Sequence, residues 1–375
     1  SILVGTQGRG GNSIFAIDVT NPAALNSSAV LWDKTFPELG VFLGKPQVTR
    51  AETGDWVLIV GYGYNNSTNK AGVLVINLLD GSILRKIETT AGSSADPNGM
   101  SELNLLDVDA DGNTDWVYGG DMHGNVWKFD LSSSNSSSWA VAYSGAPLFQ
   151  AKDSLNNRQM ITGGVLSALD PKTGKVWLFF GTGRYLNVND PSNTNAQTWY
   201  GIIDGSVISG RSELAVRVIS NVGEQRVVTD VAALETGKKG WYMDLPNSRE
   251  RVVDMPIILG AELLMNTVIP DSNVCNPSGS GYVMAVSPFT GSRLKKSFFD
   301  LNDDDDFDAE DTVTVGGQST VVSGIKVRST NSVTTFAKVG PLIKSYYNRE
   351  GAGVEERTID PTRNSGMQSW RVINN

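Results

Sequence analysis

Short apolar runs, each closed by turn residues, recur along the whole chain and leave little room for long helices. They include "DWVLIVGYG" (55–63), "AGVLVINLLDG" (71–81), "DWVYGGD" (115–121), "GNVWKFDL" (124–131), "KVWLFFGTG" (175–183) and "GYVMAVSPFTG" (281–291). They are rich in Val, Ile, Phe, Trp and Tyr, which fit a pleated and buried surface. Polar stretches such as "SSSNSSSW" (132–139) and "NVNDPSNTNAQT" (187–198) separate them and read as loops. Forty glycines supply the tight turns that so many strand reversals need.

The runs share a loose unit: an apolar strand, a polar residue at its end, a turn and another strand. The polar anchors are Asp18, Asn77, Asp130, Asp204, Asp244 and Ser287, at spacings that drift between 40 and 74 positions. A strict solenoid would keep a fixed period. A β-propeller with long inter-strand insertions tolerates the drift, because each blade is its own sheet. Blades packed face to face bury both sides of a strand, which accounts for apolar residues on both faces. The expectation is one all-β domain over residues 1–375: a modified propeller of quinoprotein-like blades, seven in number, with six as the alternative. A pair of β-sandwiches is the competing architecture.

Composition narrows the function. The net charge of −9 argues against a general nucleic-acid binder, which needs a basic face. The best apolar stretch, "MPIILGAELLMNTVIP" (255–270), is short and carries Glu262, so no membrane-spanning helix is expected. The chain opens on "SILVGT", a strand rather than a leader, and reads as a mature or trimmed segment. Its one cysteine, Cys275, forms no internal disulfide and is either an inert thiol or a crosslink to another region.

The densest chemistry is "DVDADGNTD" (107–115). Asp107, Asp109 and Asp111 stand at positions 1, 3 and 5 of a calcium loop. Gly112 at position 6 permits the sharp turn, Asn113 at position 7 offers a backbone carbonyl, and Asp115 at position 9 closes the set. Clustered carboxylates repel without a cation, and hard oxygens at alternate positions suit Ca²⁺ better than the smaller Mg²⁺. Position 12 is Tyr118 instead of a bidentate Glu, and the loop runs straight into a strand. The expected role is therefore to pin an inter-strand turn. A metal-free Asx-rich turn is the bland reading.

A second acidic run, "DLNDDDDFDAED" (300–311), places Asp300, Asn302, Asp304, Asp306, Asp308 and Asp311 at calcium-loop positions 1, 3, 5, 7, 9 and 12. Asp306 would bind through its carbonyl. Asp305 occupies position 6, where glycine is wanted for positive φ. A solvated acidic loop is the rival reading here.

The segment "LNLLDVDADGNTDWVYGGDMHGNVWKFDL" resembles the calcium-loop segment of the PilC/PilY family of type IV pilus proteins. "ILVGTQGRGGNSIFAIDVTNP" (2–22), "LFFGTGRYLNVND" (178–190), "TWYGIIDG" (198–205) and "GWYMDLPNSRERVVDMPII" (240–258) are similar to that family's C-terminal domain, in the same order. The resemblance covers most of residues 1–310. It implies a modified seven-bladed propeller, exported to the pilus tip, outer membrane or cell surface of a Gram-negative bacterium. It implies partners among pilus components (minor pilins or the pilus tip), and attachment to host-cell or abiotic surfaces. It implies roles in pilus assembly and twitching motility, with calcium at Asp107, Asp109, Asp111, Asn113 and Asp115 influencing extension against retraction. Family members carry a large N-terminal region as well. The chain has no Arg-Gly-Asp, so integrin-type attachment is not supported.

Two other functions compete. Quinone-dependent dehydrogenases share such strands and bind calcium, but they need a catalytic base. The one histidine, His123, lies in the turn "DMHGN", where a solvated turn residue is expected. A carbohydrate-binding propeller outside pilus biology would use exposed aromatics such as Trp32, Trp199, Trp241 and Trp370; blade core is the expectation for all four. The chain is expected to act by binding, not catalysis.

Overall fold

The computed structural model describes residues 1–41, 44–271, 279–328, 334–339, 342–349 and 353–360. Cys275 and Trp370 lie outside the described residues. Strands and short 3-10 turns make up the regular structure, with no α-helix among the described residues. No helix among them is long and apolar enough to cross a membrane. Contacts divide the chain into two compact units, Ser1–Val216 with Leu234–Pro256, and Arg217–Ala233 with Ile257–Asn375.

The first unit holds four sheets in chain order, antiparallel but for one short parallel pair in the fourth. The first joins β1 (Ile2–Thr6), β2 (Ser13–Asp18) and β3 (Val30–Thr35). The second is the meander β4 (Gln47–Arg50), β5 (Trp56–Gly61), β6 (Gly72–Asn77) and β7 (Ile83–Glu88). The third contains β8 (Met100–Leu106), β9 (Trp116–Asp121), β10 (Asn125–Asp130), β11 (Ala140–Val141) and β12 (Phe149–Gln150). The fourth is built from β13 (Leu166–Leu169), β14 (Val176–Gly181), β15 (Thr198–Ile203) and β16 (Ala215–Val216). Two strands of the other unit, β17 (Ile219–Val222) and β18 (Gln225–Val228), intervene before β19 (Gly240–Asp244) completes the fourth sheet between β15 and β16.

Successive side chains on a strand point to opposite faces. In β5, Val57 and Ile59 enter the core shared with the third sheet, while Leu58 and Val60 enter the core shared with the first. In β9 and β10, Val117, Trp127 and Phe129 face the second sheet, and Tyr118 and Val126 face the fourth. Each strand thus feeds two cores, which is why these runs are continuously apolar. Each fully buried aliphatic or aromatic side chain contributes about 1.5–3 kcal/mol. Close stacking also explains a glycine inside "DWVYGGD": a Cβ on Gly120 would lie 2.3 Å from Ile161 Cγ2.

The polar anchors end strands as expected, and several also make the turn. Asp18 Oδ1 accepts from Thr20 N–H at 2.9 Å, Asn77 Oδ1 from Leu79 N–H at 2.9 Å, and Asp130 Oδ1 from Ser132 N–H at 3.0 Å. Asp204 and Asp244, however, close β15 and β19 of one sheet, so the anchors do not count sheets one for one. Trp32, Trp199 and Trp241 are all buried, as expected of core residues.

The second unit continues with β20 (Ile257–Leu259), β21 (Glu262–Asn266), β22 (Ile269–Pro270), β23 (Gly279–Val286), β24 (Thr312–Val315), β25 (Gln318–Val321) and β26 (Gly324–Val327). Its largest sheet runs β17-β18-β26-β23-β21-β20, with β22 also on β23. β24 and β25 form a hairpin, and β27 (Thr334–Val339), β28 (Leu342–Arg349) and β29 (Gly353–Ile359) form a separate meander. Its core includes Leu264, Val283, Ala285, Phe298, Phe299 and Ile359.

Candidate metal centre

Residues 107–115 form the loop of the β8–β9 hairpin. The last ladder pair is Leu106 with Trp116, and Asp115 N–H closes the loop on Leu106 O at 3.0 Å. The intervening chain turns sharply because Ala110 and Gly112 take φ of 62° and 100°. The carboxylates organise their own backbone. Asp107 Oδ2 accepts from Gly112 N–H at 2.8 Å, Asp111 Oδ1 from Asn113 N–H at 2.7 Å, and Asp115 Oδ2 from Val108 N–H at 2.8 Å.

Oxygens of Asp107, Asp109 and Asp115 all lie within 4.8 Å of one another, the one such grouping of three potential ligands among the described residues. Asp115 is 5% exposed. Burial pushes its carboxyl above the usual range, Asp109, Asp107 and Asp111 add to the push, and the Val108 N–H opposes it. Asp111 is exposed, outside this trio, with its second oxygen taken by Asn113 Nδ2 at 2.8 Å. Asn113 Oδ1 is buried without a hydrogen-bond partner. An all-oxygen donor set, three converging carboxylates and a spare buried amide oxygen fit a hard divalent cation.

Sequence spacing alone missed Glu52. It lies in the turn after β4, where burial and then Asp111, Asp115 and Asp109 raise its carboxyl pKa, opposed by a hydrogen bond from the Asn113 side chain. The same turn clamps the loop. Thr114 N–H donates to Arg50 O at 2.9 Å, and the hydroxyls of Thr49 and Thr114 meet at 2.7 Å.

The second run, 300–311, adopts the same local path in its own unit. Asp303 and Asp305, at positions 4 and 6, take φ of 61° and 63°, matching Ala110 and Gly112 in the first loop. Asp300 Oδ2 accepts from Asp305 N–H at 2.9 Å, Asn302 Oδ1 from Asp304 N–H at 3.4 Å and Asp304 Oδ1 from Asp306 N–H at 2.9 Å. These repeat the 6-to-1, 5-to-3 and 7-to-5 bonds of the first loop. The left-handed Asp305 is held by Lys344 Nζ at 3.0 Å and Thr358 Oγ1 at 2.9 Å, which depress its pKa and offset the missing glycine. Asp311 takes the part played by Asp115, accepting from Leu301 N–H at 2.6 Å. Asp300 and Asp311 are buried, whereas Asn302, Asp304, Asp306 and Asp308 are exposed.

At the end of β9 opposite the first loop stands a cluster the spacing did not reveal. Asp121 is fully buried and accepts from His123 N, Asn125 N and Nδ2, Trp127 Nε1 and Asn98 Nδ2, each at 2.8 Å. It locks the β9–β10 turn. His123 lies in that turn as expected but is not solvated: it is 8% exposed, with Nε2 3.1 Å from Pro97 O and 3.3 Å from Asp96 Oδ1. The turn folds back onto residues 96–98, which local sequence could not show.

Stacked antiparallel sheets carrying an acid-lined hairpin loop define the class: an all-β propeller with an oxygen-rich loop. Residues 1–235 match the sequence profile of the PilY1 beta-propeller domain, and the chain belongs to that family. It is 39% identical over 393 residues to a type IV pilus biogenesis factor PilY1 homolog of Xylella fastidiosa (strain Temecula1), covering all of this chain and 30% of that protein. To the type IV pilus biogenesis factor PilY1 of Pseudomonas aeruginosa (strain PAK) it is 30% identical over 426 residues, covering 36% of it. The crystal structure of the Pseudomonas aeruginosa PilY1 C-terminal domain superposes with a TM-score of 0.80 at 28% identity, covering 96% of this chain and 80% of that one. The chain therefore spans about a third of the length of these curated relatives. The resemblance read from the sequence and the propeller class are both borne out.

Proposed function

We propose that this propeller is the calcium-responsive part of a type IV pilus biogenesis protein and acts by binding. Asp107, Asp109 and Asp115 would hold Ca²⁺ through carboxylate oxygens, with Asp111 and the backbone carbonyl of Asn113 completing the set. The ion would supply positive charge where three carboxylates converge within 4.8 Å, and that convergence carries the reading. Asp300, Asn302, Asp304, Asp306, Asp308 and Asp311 would form a second site, supported by the repeated backbone bonds of the two loops.

The response would govern pilus extension against retraction, and through it twitching motility and surface attachment. The partners would be minor pilins or other tip components, with a host-cell or abiotic surface beyond them, which places the chain outside the cell. The relatives' names as pilus biogenesis factors support this setting. A binding role is supported by His123, whose imidazole lies against Pro97 O and Asp96.

Calorimetric titration should give two calcium sites per chain, and Asp115→Ala should abolish the first while the sheets stay folded. Carried into the intact gene of the pilus protein, that substitution should alter twitching in calcium-replete medium. Undiminished first-site affinity would defeat the metal assignment. Lost affinity with unchanged twitching would defeat the regulatory role.

A further inference from the structure

Taken alone, the first loop leaves a calcium ion short of oxygens. Single contacts from Asp107, Asp109, Asp111 and Asp115, with the Asn113 carbonyl, make five, whereas Ca²⁺ takes about six to eight. A helix-flanked calcium loop meets the deficit with a bidentate Glu at position 12. Position 12 here is Tyr118, which is fully buried in the core shared with the fourth sheet and donates its hydroxyl to Asp204 Oδ2 at 2.7 Å. That packing keeps Tyr118 off the loop.

A carboxylate from another sheet stands there instead. Glu52 lies in the turn after β4, which Gly54 N–H closes on Ala51 O at 2.8 Å. Ala51 pairs with Thr114 in a parallel bridge, reinforced by Thr114 N–H on Arg50 O at 2.9 Å and by the hydroxyls of Thr49 and Thr114 at 2.7 Å. The two chains run in the same direction across this bridge, so Glu52 and Asp115 leave it side by side. The Asn113 side chain ties both segments: its Nδ2 donates to Asp111 Oδ2 at 2.8 Å, and its amide also hydrogen-bonds Glu52.

No side-chain cation offsets these acids. Among the described residues, Glu52, Asp109, Asp111 and Asp115 form no ion pair with a lysine, arginine or histidine. The second loop differs, since its Asp303 and Asp305 pair with Arg357 and Lys344. Asp115 is 5% exposed, and of its two carboxylate oxygens only Oδ2 accepts a hydrogen bond. A buried carboxylate oxygen without a partner is costly. Acids from two separate sheets thus converge on it with no counter-charge, which a hard divalent cation relieves.

We propose that Glu52 is a further ligand of the calcium ion at the first loop, filling the place that position 12 leaves. The proposal rests on the calcium reading of that loop. Glu52 belongs to the turn between β4 and β5, and the loop joins β8 to β9. The ion is then a crosslink between the second and third sheets, not a brace within one hairpin.

The test uses the full chain with its second loop silenced by Asp304→Ala and Asp308→Ala, two exposed positions. Calcium is titrated by calorimetry into this parent and into its Glu52→Gln and Glu52→Asp variants. Both substitutions should weaken binding roughly tenfold or more. Glu52→Asp keeps the charge but draws the carboxylate back by one methylene, so it separates a ligand from a charge acting through space. Terbium in place of calcium gives a second readout, because its luminescence lifetimes in H₂O and D₂O count metal-bound waters. Each variant should hold about one or two more waters than the parent. Melting in chelator at or above the parent's temperature shows that a variant is folded. If Glu52→Asp binds calcium as tightly as the parent with the same water count, the ligand assignment is overturned, whether or not Glu52→Gln weakens, and the loop site itself stands. If the parent takes up no calcium, the loop reading is overturned and Glu52 falls with it.

Discussion

Replacing Asp115 by asparagine separates the charge of the first loop from its hydrogen bonds, because the amide oxygen still accepts from Val108 N–H. Asp115 belongs to two of the three carboxylate pairs that lie within 4.8 Å. Two unit charges at that distance repel by about 0.9 kcal/mol in bulk water and by roughly 3.5 kcal/mol at an effective dielectric of 20. Without calcium, the variant should therefore be more stable than the parent by at least about 2 kcal/mol. With calcium a hundredfold above Kd, the parent gains about 2.7 kcal/mol and the variant loses most of that gain. At roughly 1–2 °C per kcal/mol for a chain of this size, the parent's Tm should rise by about 3–5 °C on adding calcium. The variant should melt about 2–4 °C above the parent in chelator and lose the first loop's share of the calcium shift, keeping only what the second loop supplies. Scanning calorimetry in calcium and in chelator reads all four values. A variant that melts below the parent in chelator would refute the repulsion argument, and a parent Tm indifferent to calcium would refute the site.

Two further perturbations probe the same unit. Lys128 Nζ lies 2.8 Å from Asp204 Oδ2 and 3.2 Å from the Trp116 ring centroid, and the hydroxyls of Tyr118 and Tyr143 also donate to Asp204. Lys128→Met should cost about 3–5 kcal/mol by leaving the buried carboxylate unpaired, and adding Asp204→Asn should recover part of it, measured by urea denaturation. Glu213 is held down to about 2 by Lys239 and by the hydroxyl and N–H of Ser209. A depressed carboxylate adds stability above its unfolded pKa and loses it as pH falls through the folded one. Glu213→Gln should therefore cost up to about 1 kcal/mol above pH 5, given the solvent screening of an exposed pair. That difference should vanish near pH 2, and a constant difference across thermal melts at pH 2–6 would exclude the linkage.

How far the sequence could be read depended on how local each cause was. The strand runs and their Asx turns are set by neighbours along the chain, so Asp18, Asn77 and Asp130 were visible as strand ends. The first loop was legible for the same reason: its acids fall within nine consecutive positions. The continuous apolar character of β5 pointed to sheets covered on both faces, but only the structure assigns Val57 and Ile59 to one core and Leu58 and Val60 to the other. Glu52 escaped notice because its turn meets the loop only once β4 is laid beside residue 114. The burial of His123 has no local signal, because the residues that cover it, Asp96 and Pro97, precede it by two strands, β8 and β9.

The non-local contacts also determine how far the calcium proposed for the first loop would be felt. A hairpin loop projecting into solvent would change only itself. This loop does not stand alone: Thr114 is bonded through backbone and side chain to Arg50 and Thr49, and Asp115 O accepts from Leu131 N–H at 2.7 Å. Moving the carboxylates apart therefore pulls on the β4 end of the second sheet and on the exit from β10 together. Asn113 adds a third tie, through its side chain to Glu52. Because those ties are short and the cores on both faces are close-packed, the displacement cannot be absorbed by slack around the loop. Neutralising the acids would thus set the spacing of two neighbouring sheets, which is the physical step a calcium-dependent change in partner binding requires.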